Sequence, residues 1–395
     1  MQRLSLGKEN ETMESKLNNN CSKWQKYKIK DITTSFSGGT PLTDHSEFYE
    51  GGDIPFITSR DLNQSFITAI PHVITQKGLQ KSSAKIVQEN TLLFALYGAT
   101  AGTCAITGVS GAINQAILAL VNCKVEEKLL YYTFCWKKDY ILHTYTQGGQ
   151  PNLSSQIIGN LSFAFPKSRK EQRKIVEVLE TWDRAIGLTK QRIEQKELQK
   201  KYLMQQLLTG RTRLKGFTDK WENVRLKQLC SIQKGQQLNA NTLTKNGKYA
   251  CLNGGIIPSG YTTKWNTEAN TISISEGGNS CGYVNWNDSR FWAGGHCYTL
   301  ANVKISNFFL YFVLKNKEGH IMNLRVGSGL PNIQRPSLEK LLLKIPSAQK
   351  EQQAIANVLS SCDKGIDLLK QKLAKLEEQK KGLMQVLLTG KVRMI

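Results

Sequence analysis

The sequence lacks the features that would place it in a membrane, a secretory route or a known class of active site. Its one extended apolar stretch, 91–109, is broken by Gly98, Gly102 and Gly108 and carries four threonines, so it reads as two buried strands and not a membrane span. Positions 1–20 are polar, with Asn18, Asn19 and Asn20 together, and have no apolar signal-peptide core; a disordered lead-in is expected there. The nine cysteines are odd in number and form no Cys-x-x-Cys. That spacing argues against a disulfide framework and for free thiols in a reducing cytosol, hence a cytoplasmic location.

Catalytic signatures are missing in several classes at once. There is no G-x-x-x-x-G-K-[ST] phosphate loop, since Gly277-Gly278-Asn279-Ser280-Cys281-Gly282 has no lysine. No G-x-G-x-x-G follows a strand, and no Asn-Pro-Pro-aromatic segment is present to hold a flipped adenine. Glu194-Gln195-Lys196 has nuclease-like spacing but falls on a long helix. The five histidines show no metal-ligand spacing, and His296 beside Cys297 reads as a core or turn histidine. No catalytic residue and no metal site is assigned.

Charge is present in excess. The 53 Lys and Arg against 31 Asp and Glu leave a net +22, which favours a polyanionic partner, nucleic acid ahead of an anionic membrane, over a merely solvated basic surface. With 395 residues, 40% of them hydrophobic, two or three domains with buried cores are expected.

The chain is written twice. The segment from Pro151 through Lys170-Glu171-Gln172 returns from Pro331 through Lys350-Glu351-Gln352, a constant offset of 180. Asp183 matches Asp363, Leu207-Leu208-Thr209-Gly210 matches Leu387-Leu388-Thr389-Gly390, and Arg213 matches Arg393. Upstream the same offset relates Gly98 to Gly278, Gly102 to Gly282 and Tyr131 to Tyr311. Trp24, Lys30 and Gly38 match Trp221, Lys227 and Gly235 at an offset of 197, so the first half carries 17 extra residues between Gly38 and Asn90.

Each repeat ends in a proline-free stretch predicted as one long helix, about Glu171–Leu208 and Glu351–Leu388, with Gly210 and Gly390 at the stops. Apolar residues recur at alternating four and three. The first seam contains Ile175, Leu179, Trp182, Ile186, Ile193, Leu203 and Leu207, with Thr189, Lys196 and Lys200 filling the polar steps. The second contains Ile355, Leu359, Ile366, Leu369, Leu373, Leu376, Leu383 and Leu387, with Cys362 and Lys380. A narrow seam with a period near 3.5 suits one helix lying along another, over roughly 57 Å at 1.5 Å per residue. Mutual antiparallel pairing is favoured over two helices packed separately on their own domains.

The intervening segments are glycine-rich and mixed α and β. Thr91–Leu96 and Cys104–Thr107 read as strands, matched by Thr271–Ser275 and Cys281–Trp286; helices are predicted over Glu126–Tyr140 and Ser306–Met322. The fold class is α+β, with two mixed α/β domains separated by two long helices and an internal pseudo-twofold repeat. The boundaries are a tail 1–20, a domain 21–166, a helix 167–213, a domain 214–346 and a helix 347–395.

Several of these segments carry a family resemblance. Gly38–Leu62, Gly98–Ile106 and Asn114–Ala116 resemble the target-recognition domains of type I restriction–modification specificity (S) subunits, as does Asn253–Leu300. The Glu-Gln-x-x-Ile and Leu-Leu-Thr-Gly helices resemble that family's spacer regions. The resemblance implies a non-catalytic, DNA-binding subunit of a bacterial defence system. One domain would read each half of an asymmetric split target in double-stranded DNA, on grooves about 34 Å apart. Two methyltransferase subunits and two restriction subunits would dock on the chain. S-adenosylmethionine, ATP and Mg would be bound by those partners, with no cofactor on this chain and no membrane involved.

Glycine turns with polar neighbours nominate the DNA-facing residues. In the first domain they are Ser37, Gly38, Thr40, Thr58, Ser59, Arg60, Tyr97, Thr100, Asn114 and Gln115. In the second they are Lys234, Gln236, Asn253, Tyr261, Glu276, Asn279 and His296. Two alternatives stay open. One is an architectural nucleic-acid binder without restriction partners, which would bind sequences indiscriminately. The other is a self-sufficient methyltransferase or nuclease with an unrecognised site.

Overall fold

A computed structural model describes residues 24–146, 152–327, 329 and 331–394; the lead-in expected over 1–20 lies outside them, as do Cys21 and Pro151. The chain divides into two compact units, Met1–Leu188 with Leu373–Ile395, and Thr189–Lys372. The division falls inside both long helices, Arg169–Leu207 and Gln349–Leu387, so each unit is assembled from both repeats.

In the first unit a five-stranded sheet runs in the order Thr34–Ser37, Ile117–Val121, Leu92–Ala95, Cys104–Thr107, Phe66–Ile67. The run Leu92–Ala95 is fully buried because both faces of this sheet are covered. Leu92 and Phe94 face one core with Phe134 and Ile141 of helix Glu127–Tyr145; Leu93 and Ala95 face another with Ile57, Leu62 and Ile67. The helix predicted to stop at Tyr140 continues to Tyr145 because Ile141 belongs to that core. A second sheet has the order Val73–Ile74, Ile54–Ile57, Gly111–Ile113, Lys85–Val87.

The second unit repeats the plan with a shorter inventory. Its main sheet is ordered Ser231–Lys234, Cys297–Ala301, Thr271–Ser275, Val284–Asn287. A smaller sheet is ordered Gly260–Thr262, Tyr249–Leu252, Trp292–Ala293. Ile272 and Ile274 face the helix core with Phe309 and Val313. The alternate residues are polar, and Ser273 accepts from Asn287 Nδ2 at 3.0 Å. That alternation is why this half lacks the apolar run of its counterpart. The strand predicted from Cys281 begins only at Val284, because Gly282, at φ +94°, keeps Cys281–Tyr283 in the turn. The helix predicted over Ser306–Met322 is two, Asn307–Asn316 and Glu318–Met322; at the break the Glu318 carboxylate accepts from Val284 N at 2.8 Å.

The long helices are pinned within each unit by the motifs that repeat. In the first unit Arg393 Nε and Nη2 donate to Glu171 Oε1 and Oε2, both at 2.6 Å. In the second unit Arg213 clamps Glu351 in the same way, at 2.6 and 2.7 Å. Lys380 pairs with Asp183, and Lys200 with Asp363. In both units one member's number falls as the other's rises, so the helical segments run antiparallel. Tyr132 OH donates to Asp183 at 2.6 Å, and burial, followed by this bond, raises its pKa; Phe312 takes its place in the second unit, with Lys200 over the ring at 5.6 Å. Gln172 and Gln352 donate to the carbonyls of Pro166 and Pro346. The Lys-Glu-Gln and Leu-Leu-Thr-Gly-x-x-Arg motifs are thus two jaws of one clamp, each jaw supplied by the other repeat.

The seam differs from the sequence reading at its ends and at one step. Ile175, Leu179 and Leu387 join the first domain's core with Phe163 and Phe165, and Ile355, Leu359 and Leu207 join the second's with Leu343 and Ile345. The helix ends are therefore packed on the domains as well as on each other. Ile186, Thr189, Ile193 and Ile366 are buried outside those cores. Trp182, Leu203, Leu369, Leu373, Leu376 and Leu383 are half-buried, whereas Lys196 is exposed and donates to Gln199 on its own helix, unlike the half-buried Lys200 and Lys380 that reach Asp363 and Asp183.

Candidate nucleic-acid interface

Backbone pairing, and for Thr40 a side-chain hydrogen bond, brings the nominated residues of the first domain to one edge. Strand Thr34–Ser37 ends opposite Leu118, and Gly38 N donates to Asn114 O at 3.3 Å. Gly38 must be glycine here, because a Cβ would sit 1.8 Å from the Ile113 carbonyl oxygen. Ile57 pairs with Ile113 in parallel, so Thr58, Ser59 and Arg60 emerge beside Asn114 and Gln115. Leu96 N donates to Ala116 O, which sets Tyr97 and the turn holding Thr100 next to Gln115. Within this edge Thr40 Oγ1 donates to Gln115 Oε1 at 2.7 Å, both side chains exposed. Thr58 N and Oγ1 donate to Asp61 Oδ2 at 2.7 and 2.8 Å, and Asn114 Oδ1 accepts from Ala116 N at 3.1 Å. Thr58 and Asn114 are thereby tied into turns. Arg60 is exposed at the start of a short 3-10 turn and makes no capping bond.

The second domain presents the equivalent edge with different chemistry. Gly235 stands where Gly38 does, and a Cβ there would meet the Gly294 carbonyl oxygen at 2.3 Å. Lys234, Gln236, Asn253, Glu276 and His296 are gathered at this edge, and exposed Asn279 sits on the turn that follows Glu276. Glu276, nominated as DNA-facing, is only 8% exposed. Its Oε1 receives Lys234 Nζ at 2.6 Å and Tyr298 OH at 3.0 Å, and its Oε2 faces His296 Nδ1 at 3.5 Å. Burial, and then donation to this carboxylate, pushes the Tyr298 phenol up to about 12, so it stays a neutral donor. Asn253 Oδ1 fixes the loop by accepting from His296 N at 3.0 Å. Tyr261 is not part of this cluster: it pairs with Ala250 on the outer strand, away from the Asn253 end.

Sequence reasoning missed two groups at the second edge. Tyr298 is buried, and its role follows only from standing opposite Lys234 in the sheet register. Ile256 and Ile257, 57% and 76% exposed, lie just beyond Asn253. An apolar pair between Gly254-Gly255 and Pro258-Ser259-Gly260 was the available signal. A cleft of about 540 Å³ lies elsewhere, lined by Glu89, Glu126, Glu127, Glu177 and Glu180. Lys128 and Arg173 share its lining, paired with Glu180 and Glu126, but the carboxylates outnumber them and would repel phosphates, so it is kept apart from the interface. Among the described residues no group of His, Cys, Asp and Glu could hold a metal ion, and no helix is long and apolar enough to cross a membrane.

Comparison with known proteins agrees with this plan. A family model described as the type I restriction modification DNA specificity domain matches residues 21–198 and 218–378. A putative type I specificity subunit of Mycoplasma genitalium is 37% identical over 152 residues, 38% of this chain and 39% of that protein. A Mycoplasma pneumoniae relative matches to the same extent, so the match spans about 40% of these relatives' length. The MjaVIII type I restriction enzyme specificity subunit of Methanocaldococcus jannaschii is 25% identical over 408 residues, covering 94% of this chain and 93% of that one. The crystal structure of a type I S subunit from M. genitalium shares the fold with a TM-score of 0.65 at 17% identity, over 92% of this chain and 96% of that chain.

Proposed function

Since this chain belongs to the type I restriction–modification DNA specificity family, we propose that it selects an asymmetric, bipartite target in double-stranded DNA and recruits the enzyme subunits that act there. The observation that carries this reading is the pair of equivalent edges with unlike side chains. Ser37, Thr58 and Ala116 in one domain stand where Lys234, Asn253 and His296 stand in the other. Identical frames with different donors and acceptors read different base sequences. Basic residues elsewhere supply the salt-dependent hold on phosphates.

The chemistry belongs to partners. Two methyltransferase subunits and two restriction subunits bind the chain, and S-adenosylmethionine, ATP and Mg are theirs. This chain positions and discriminates, and it carries no reacting group. It works in the cytoplasm, where its partners find DNA and reduced thiols persist.

The test is methyl transfer from labelled S-adenosylmethionine to duplex DNA, using this chain and the methylase subunit of its own system, separately and mixed. Transfer by the mixture alone, confined to a subset of sequences, is the expected result. Transfer or cleavage by the purified chain alone would make it an enzyme. Sequence-tolerant binding with no stable complex would make it an architectural binder.

A further inference from the structure

The second domain's edge holds a lysine mounted on a buried carboxylate, and the first domain has no such device. We infer that Lys234 reads a guanine in the half-site taken by the second domain, and that Glu276 is a positioning residue and not a DNA contact. This rests on the functional reading above and assigns a base class to one of its residues.

Three strand ends build the site. Lys234 closes Ser231–Lys234 and stands opposite Tyr298; Tyr298 stands opposite Ile274, two residues before Glu276. Glu276 Oε1 takes the Lys234 ammonium at 2.6 Å and the Tyr298 hydroxyl at 3.0 Å. Oε2 is buried and receives no hydrogen bond, with only the exposed His296 ring across from it at 3.5 Å. A carboxylate this enclosed cannot reach a base, yet it fixes where the ammonium sits. One of the three Lys234 N–H bonds goes to Glu276, and the side chain remains 54% exposed, so the other donors face outward.

Charge decides between base and phosphate. A phosphate contact draws on net positive charge, and the Lys234–Glu276 pair has none. What remains is directional donation from a held position, which suits the paired O6 and N7 acceptors that guanine presents in the major groove. The corresponding positions in the first domain are Ser37 for Lys234, Leu96 for Glu276 and Ala116 for His296. No ion pair can form there, so the effect belongs to one half-site.

The experiment maps methylated adenines in cells carrying the methylase subunit with the wild-type chain, Lys234→Ala, Lys234→Arg or Glu276→Gln. Lys234→Ala is expected to lose a guanine requirement at one position of one half-site, by about ten- to a hundredfold in preference, with the other half unchanged. Lys234→Arg keeps that guanine, because guanidinium donates to the same acceptors. Glu276→Gln blurs the same position and no other. A Lys234→Ala motif identical to wild type would overturn the inference, as would a uniform loss of affinity for all sequences with a shallower salt dependence, the mark of a phosphate contact. If the wild-type chain itself yields no split motif, the functional reading fails first, and the two failures are told apart.

Discussion

Glu171 and Arg393 are 222 residues apart in the chain and form a bidentate pair with side chains only 4% and 8% exposed. Removing one partner leaves the other charge buried, so Arg393→Ala should cost about 3 kcal/mol in denaturant unfolding of the first unit. The Arg393 hydrogen bonds hold the Glu171 carboxyl below its ordinary 4.5. The pair therefore stabilises fully above about that pH, and its contribution is lost as pH falls through the depressed value. Glu171→Gln should flatten that acid limb, and an unchanged limb would show that other carboxylates govern it. Arg60 is the opposite case, exposed and without a capping bond. Arg60→Ala should weaken DNA binding while leaving the melting temperature nearly unchanged; a large loss of stability would show it is structural.

At the scale of elements, the long helices contain glycines of two kinds. Gly187 is exposed in the interior of Arg169–Leu207, and a Cβ there would meet nothing within 4 Å. Gly187→Ala should stabilise by about 0.5–1 kcal/mol. Gly390 terminates the other helix at φ +71°, with the Trp24 ring 2.9 Å from where a Cβ would lie. Gly390→Ala should destabilise by at least about 1 kcal/mol. Thermal melts of the two variants should move in opposite directions.

This is also the scale at which the sequence was most and least legible. Strands Cys104–Thr107 and Thr271–Ser275 and both long helices were readable, because local periodicity and helix stops leave a local record. The repeat register was readable too. The use of the repeated Glu171 and Arg393 was not, since nothing local says which jaw meets which. The edges were partly legible: glycine turns pointed to strand ends that the fold gathers at one edge of each domain. They could not reveal that Glu276 is buried beneath Lys234, or that Tyr261 sits on an outer strand, because both facts depend on sheet register.

For the whole molecule, the net +22 charge implies binding dominated by phosphate contacts. If six to ten phosphates are neutralised, affinity should fall by about 10³–10⁵ between 50 and 200 mM salt, and a titration of duplex binding against salt checks it. On the proposed reading, discrimination between sequences should survive that fall, because that reading assigns it to the two unlike edges and not to charge. The most direct measurement of the central claim is a methylome. The chain is expressed with its methylase subunit in a host lacking the modification, and methylated adenines are mapped by single-molecule sequencing against a strain without this chain. A new split motif, with unequal halves and a fixed gap, is the predicted result. No new motif, despite a stable complex and an active methylase, would contradict the account.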